Sequence, residues 1–162
     1  MSDTTTKTIH LALQGGGAHG AFTWGVLDAL LADGRLNFAG ISGTSAGAVN
    51  AVALAHGWAQ AVADKQDPYE GARASLTRVW NQVMELGAAS ESTARLTKLM
   101  IGALPGAMTR VSPYVANPLN VNPLRQLIEH EIDFELLAKL KSPRVFIAAT
   151  EAETGRARFC PL

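Results

Sequence analysis

Residues 41–50 read ISGTSAGAVN. Gly43, Thr44, Ser45, Ala46 and Gly47 form the pattern G-x-S-x-G. Phe38 to Ser42, just upstream, has the length and apolar content of a short buried strand, and the small residues Ala46 to Ala55 read as helix, with Gly57 near its end. A serine between a strand and a helix, flanked by glycine and alanine, suits a sharp turn that lifts the hydroxyl clear of the backbone. Such a turn is strained and tolerates only small neighbours. Ser45 is therefore the candidate nucleophile, and a helix N-terminus there would favour developing negative charge. Ala48, Ala51 and Ala55 let that helix pack closely. Ser42 falls within the strand and reads as structural.

Residues 11–25 read LALQGGGAHGAFTWG. Gly15, Gly17 and Gly20 satisfy G-x-G-x-x-G. They lie between a strand expected over Ile9 to Gln14 and a helix expected over Ala21 to Leu31, where Phe22, Val26, Leu27, Leu30 and Leu31 share a face. One reading is a dinucleotide-binding turn, which wants an acidic residue about 20 positions on, at the end of the next strand. That strand runs into Ile41-Ser42-Gly43 with no acid, and Asp33-Gly34 reads as the turn that ends the helix. A second reading is an anion site. Gly15, Gly16 and Gly17 let the backbone approach a ligand closely, and N–H groups entering a helix have no partner within it. A loop of this kind, continuing through Ala18, His19 and Gly20, can hold the oxyanion formed when an ester is attacked. The third reading is a tight turn with close helix packing. Taken alone, the loop leaves all three open.

The remaining chain alternates helix and strand. Helix is expected from Pro68 to about Leu86, over Thr93 to Leu104, Leu124 to Glu129 and Phe134 to Leu140, with a loop across Pro105 to Pro123. Arg144 to Thr150 reads as a strand, Thr154-Gly155 as a turn and Arg156 to Cys160 as a return strand. Strands separated by helices argue for an α/β fold. At 162 residues, with 48% hydrophobic and 17% charged side chains, the chain suits one packed domain. That domain is expected over 8–162, with 1–7 disordered. Fourteen basic residues balance fourteen acidic ones, which gives no support to nucleic-acid binding. The single cysteine, Cys160, has no partner for an internal disulfide, so a reducing, cytoplasmic setting is expected. The polar N-terminus has no signal-peptide pattern. Residues 36–63 lack Asp, Glu, Lys and Arg, but Asn37, Asn50, His56 and Gln60 interrupt them, so they read as buried strand and helix rather than a membrane span.

The two glycine motifs together resemble the patatin-like phospholipase family. The resemblance rests on GGGAHG, the following AF and GVLDALL, GTSAGAVNA at the serine, Asn122-Pro123-Leu124-Arg125 and the strand RVFIAATEAETG. It covers most of this chain, but only the N-terminal part of the family's catalytic domain. It implies a layered helix/sheet/helix fold with a mainly parallel central sheet, here C-terminally truncated. It also implies a lipid acyl hydrolase that needs no metal or other cofactor. Ser45 would be the nucleophile and Gly15, Gly16 and Gly17 the oxyanion hole. An aspartate would activate the serine in a Ser-Asp dyad.

In the family that aspartate lies in a later Asp-Gly-Gly or Asp-Gly-Ala segment. The chain here ends at Leu162 before such a segment, and its one Asp-Gly, Asp33-Gly34, precedes the serine. No catalytic acid is carried over, and impaired activity is expected; the alternative is a non-catalytic remnant that binds lipid or a partner. A Ser-His-Asp arrangement finds poor material in His10, His19, His56 and His130. His56 and His130 read as helix-surface or helix-end residues. Where many family members carry Lys or Arg, this loop carries His19, a site for head-group contact or a solvent-facing residue.

From Ser92 to Ile128 there is no Asp or Glu, while Arg95, Lys98, Arg110 and Arg125 stand among Leu96, Leu99, Met100, Leu104 and Met108. A basic amphipathic stretch suits either a core-packed helix or peripheral contact of 92–128 with an anionic lipid surface. An unpaired sheet edge is expected to favour self-association.

Overall fold

The structure is a computed structural model and describes residues 6–101, 122–151 and 153–162, with the backbone alone over 89–101. Its frame is a four-stranded sheet in the order β1 (Lys7–Leu13), β2 (Leu36–Thr44), β3 (Arg144–Thr150) and β4 (Ala157–Pro161). The first two pairings are parallel and the last is antiparallel. The α/β class with a mainly parallel sheet is thus as the sequence implies. β1 begins at Lys7, inside the stretch expected to be disordered.

Helix α1 (Gly20–Asp33) joins β1 to β2, and α2 (Ala46–Ala63) leaves the end of β2. α3 (Pro68–Ile101), α4 (Pro123–Glu131) and α5 (Phe134–Ala138) follow before β3. The strand order advances in one direction, so right-handed crossovers put their helices on one face of the sheet. α2 lies against β1, β2 and β3, while α1, α3 and α5 pack on α2. Of the expected helix/sheet/helix layering, the described residues supply the layer on this face. The other face presents Ala12, Ser42, Phe146, Ala148 and Phe159 around a shallow cavity of about 330 Å³.

α2 is the central element. Ala51, Ala53, Leu54, Ala55, Trp58 and Ala59 are all buried, as in a helix apolar all round. It continues through Gly57 rather than ending near it. Gly57 is where α3 crosses: a Cβ there would stand 2.2 Å from the Gly71 carbonyl oxygen. The two helices expected across 68–104 are one continuous helix as far as Ile101. Most of the segment Pro105 to Pro123, and the side chains of Arg95, Leu96, Lys98, Leu99 and Met100, fall outside the description.

α1 ends as expected, at Gly34 with φ 67°. Its buried face is narrower than the sequence pattern predicts. Leu27 and Leu31 are buried, but Phe22 is 78% exposed and Val26 is exposed as well. The inner face instead uses Gly20 and Trp24, whose ring stacks on Trp80 of α3 at 6.4 Å. A smaller residue set on α1 suffices because the bulky indole comes from the neighbouring helix.

Candidate active site

β1 and β2 end side by side, with Leu13 paired to Gly43. Each strand therefore delivers its glycine motif to the same end of the sheet. At Ser45 the backbone takes φ 51° and ψ −122°, a conformation that side-chain-bearing residues rarely adopt. Strain of this kind costs about 1–3 kcal/mol and persists only where the surroundings enforce it. The enforcement is visible on both sides. Thr44 is the last residue of β2, in register with Ala148 of β3. Ala46 begins α2, and the Ala48 and Val49 N–H groups donate to the Ser45 carbonyl at 2.9 and 3.1 Å.

The small residues of the elbow are required by distance. A Cβ on Gly47 would lie 2.2 Å from the Leu13 carbonyl oxygen, so the first turn of α2 rests on the end of β1. A Cβ on Gly43 would meet the Gly47 oxygen at 2.4 Å. Ser45 itself is exposed, and among the described residues its hydroxyl has no hydrogen-bond partner.

The glycine loop runs over this turn. The sequence reading groups Gly15 with Gly16 and Gly17 as oxyanion donors, but the structure gives Gly15 another task. Its N–H donates to Thr44 Oγ1 at 3.0 Å, tying the loop to the elbow. A Cβ on Gly15 would stand 3.1 Å from the Ser45 Cβ, which measures how near the loop passes. Gly16 and Gly17 keep N–H groups without partners among the described residues. Gly17 has φ 57°, a left-handed conformation suited to glycine. The short turn Gly17–His19 then leads into α1. His19 is exposed, and its Nδ1 lies 3.1 Å from the Gly16 carbonyl oxygen, so its ring folds back on the loop.

Beside Ser45 opens a cavity of about 390 Å³ lined by Gly17, Ala18, Ser45, Val49, Trp80 and Leu124 among others. The size falls in the range of small-molecule sites. Among the described residues of that lining, the polar side-chain groups are the serine hydroxyl and the Trp80 indole N–H, the latter bonded to Asn50.

Residues 11–157 match the family of patatin-like phospholipases. The chain belongs to that family. The family is generally one of lipid acyl hydrolases, and this chain carries a corresponding α/β sheet and helices. No curated protein and no solved structure matches the chain. Among the described residues, no helix is long and apolar enough to cross a membrane.

The described aspartates have other tasks in this patatin-like chain. Asp33 pairs with Arg35 at 2.7 Å across the turn that ends α1, and Asp28 pairs with Arg73 at 2.8 Å. Asp67 and Asp133 accept backbone N–H groups at the starts of α3 and α5, and Asp64 closes α2. His56 differs from its sequence reading. It is 5% exposed, with its Nδ1 unpaired, because α3 and α5 cover the α2 surface on which it stands. Burial, reinforced by Arg78, lowers its pKa, with Asp133 and Glu131 opposing. Ser42 donates weakly to the Leu11 carbonyl at 3.4 Å on the open face of the sheet.

Sequence reasoning missed Asn50 and Trp80. Asn50 is fully buried, and its Nδ2 donates to the carbonyls of Gly20 at 3.0 Å and Ala46 at 3.2 Å. Its Oδ1 accepts the Trp80 indole N–H at 2.8 Å. The signal was present: an amide in the first turns of a helix, set among small apolar residues, must find partners if that helix is buried.

Proposed function

We propose that this chain hydrolyses acyl esters of lipids, with Ser45 as nucleophile. The observation that carries the reading is the positive φ of Ser45 at a turn crossed by the glycine loop. Ser45 Oγ attacks the ester carbonyl carbon as its proton passes to a general base. The carbonyl oxygen becomes an oxyanion facing the free N–H groups of Gly16 and Gly17, with the N-terminus of α2 adding favourable potential. The intermediate collapses, and the alcohol leaves with a proton. Water then attacks the acyl-enzyme, releasing the fatty acid and restoring the Ser45 hydroxyl.

Among the described residues, no carboxylate is hydrogen-bonded to the Ser45 hydroxyl. The same unpartnered hydroxyl favours a second reading, a lipid-binding domain without turnover. Hydrolysis of p-nitrophenyl hexanoate by folded wild type and Ser45→Ala separates them. Slow turnover that disappears in Ser45→Ala supports the hydrolase. Turnover retained in Ser45→Ala, or none in wild type, overturns it. The setting that suits either reading is cytoplasmic, with peripheral contact to lipid.

A further inference from the structure

We propose that Trp80 sets the length of acyl chain accepted at the Ser45 cavity, and that Asn50 positions Trp80 for this task. The inference rests on the hydrolase reading for its ester substrate, but its binding component stands without turnover. The cavity is bounded by Val49 of α2, Trp80 and Val83 of α3, and Leu124 of α4. The described lining carries no charged group, which fits an unbranched hydrocarbon chain whose carbonyl end lies at Ser45, with the polar remainder of the lipid outside.

Trp80 is the rigid part of this lining. It is 4% exposed, hydrogen-bonded to Asn50 and stacked on Trp24 with an interplanar angle of 4°. The edge of its indole ring also presses on Gly20, where an added Cβ would stand 2.7 Å from Cζ2 and Cη2. Three contacts hold the ring, so it does not yield to a longer chain. Asn50 joins that wall to the catalytic end of the cavity, because the same amide holds Gly20 at the start of α1 and Ala46 beside Ser45. Asn50 is a positioning residue: it acts through Trp80 and lines no part of the cavity itself.

The test uses saturated fatty acids from hexanoate to hexadecanoate, each titrated calorimetrically into Ser45→Ala protein. The same background then carries Trp80→Phe, Trp80→Leu, Asn50→Asp or Asn50→Leu, with circular dichroism confirming the fold. A methylene in an apolar pocket discriminates by roughly 10–200-fold. Wild-type lining should show a length beyond which affinity falls. Trp80→Phe and Trp80→Leu should raise the long-to-short affinity ratio by about tenfold or more. The Asn50 variants should shift the ratio in the same direction by releasing the ring. A variant that is merely less stable lowers binding of every chain alike and leaves the ratio fixed. Unchanged ratios in the folded Trp80→Phe and Asn50→Asp proteins overturn the proposal, as does failure of every chain to bind. The p-nitrophenyl ester series with Ser45 intact reports on the parent reading. Length-selective binding without turnover sinks the hydrolase reading alone, while turnover with an unmoved length profile sinks this one alone.

Discussion

Two glycines within helices should respond oppositely to alanine. Gly47 lies in the first turn of α2, and its added Cβ would stand 2.2 Å from the Leu13 oxygen, 2.6 Å from the Leu13 carbonyl carbon and 2.8 Å from the Gln14 oxygen. These are backbone atoms at the end of β1 and cannot rotate away. Restoring ordinary contact at 3.4 Å moves the first turn of α2 off the strand by about 1 Å. Overpacking of this kind costs about 1–3 kcal/mol. Helix propensity acts in the other direction by up to roughly 1 kcal/mol, less in a first turn. Packing wins, so Gly47→Ala should lower unfolding free energy by about 1–2 kcal/mol. The displacement also moves Ser45 against the loop, and an error of about 1 Å can cost on the order of 10²-fold in rate. Gly25, in α1, supplies the control: its Cβ would meet nothing within 4 Å. Gly25→Ala should gain about 0.5–1 kcal/mol. Urea unfolding followed by circular dichroism reads both. A Gly47→Ala protein as stable as wild type would refute the reasoning, because the close approach of α2 to β1 would then be unnecessary.

Three other outcomes follow from single contacts. Thr44→Val keeps the side-chain shape but removes the acceptor for the Gly15 N–H, so it should cost about 0.5–1.5 kcal/mol in urea unfolding. It should lower kcat for ester hydrolysis more than it raises KM; an unchanged kcat would count against the loop–elbow tie. Ser45→Gly relieves the positive φ, so it should unfold at higher urea than Ser45→Ala, by about 1 kcal/mol, while both lack turnover. Equal midpoints would mean that the elbow is unstrained. Burial holds the His56 pKa below its ordinary value of about 6.5, so the native state resists a proton that the unfolded chain accepts. Its contribution to stability is complete above about pH 6.5 and declines as pH falls below that value. His56→Gln should flatten this part of the profile in unfolding measured across it. An equally steep decline in the variant would assign the pH dependence to other groups.

The parts legible in the sequence are those fixed by local chemistry. The elbow at Gly43–Gly47 and the glycine loop each announce a strand-to-helix turn, and Gly34 announces the end of α1. β3 falls at Arg144–Thr150, as its apolar run indicates. The parts not legible depend on what crosses what. Gly57 looks like a helix end, and only the passage of Gly71 explains its place in mid-helix. His56 looks like a surface residue until α3 and α5 cover it. Phe22 follows the helical period of α1 yet points to solvent, because Trp80 fills the inner position. Gly15 reads as an oxyanion donor like its neighbours, and only the position of Thr44 Oγ1 shows its N–H to be engaged.

The nucleophilic role of Ser45 is the centre of the account. Its most direct test is treatment of folded protein with an alkyl fluorophosphonate, followed by mass spectrometry of the intact chain and its peptides. The predicted result is one phosphonyl group, on the Ser45-containing peptide and at Ser45 itself, absent from Ser45→Ala protein. An unmodified chain, or label on Ser42 with Ser45 untouched, would contradict it.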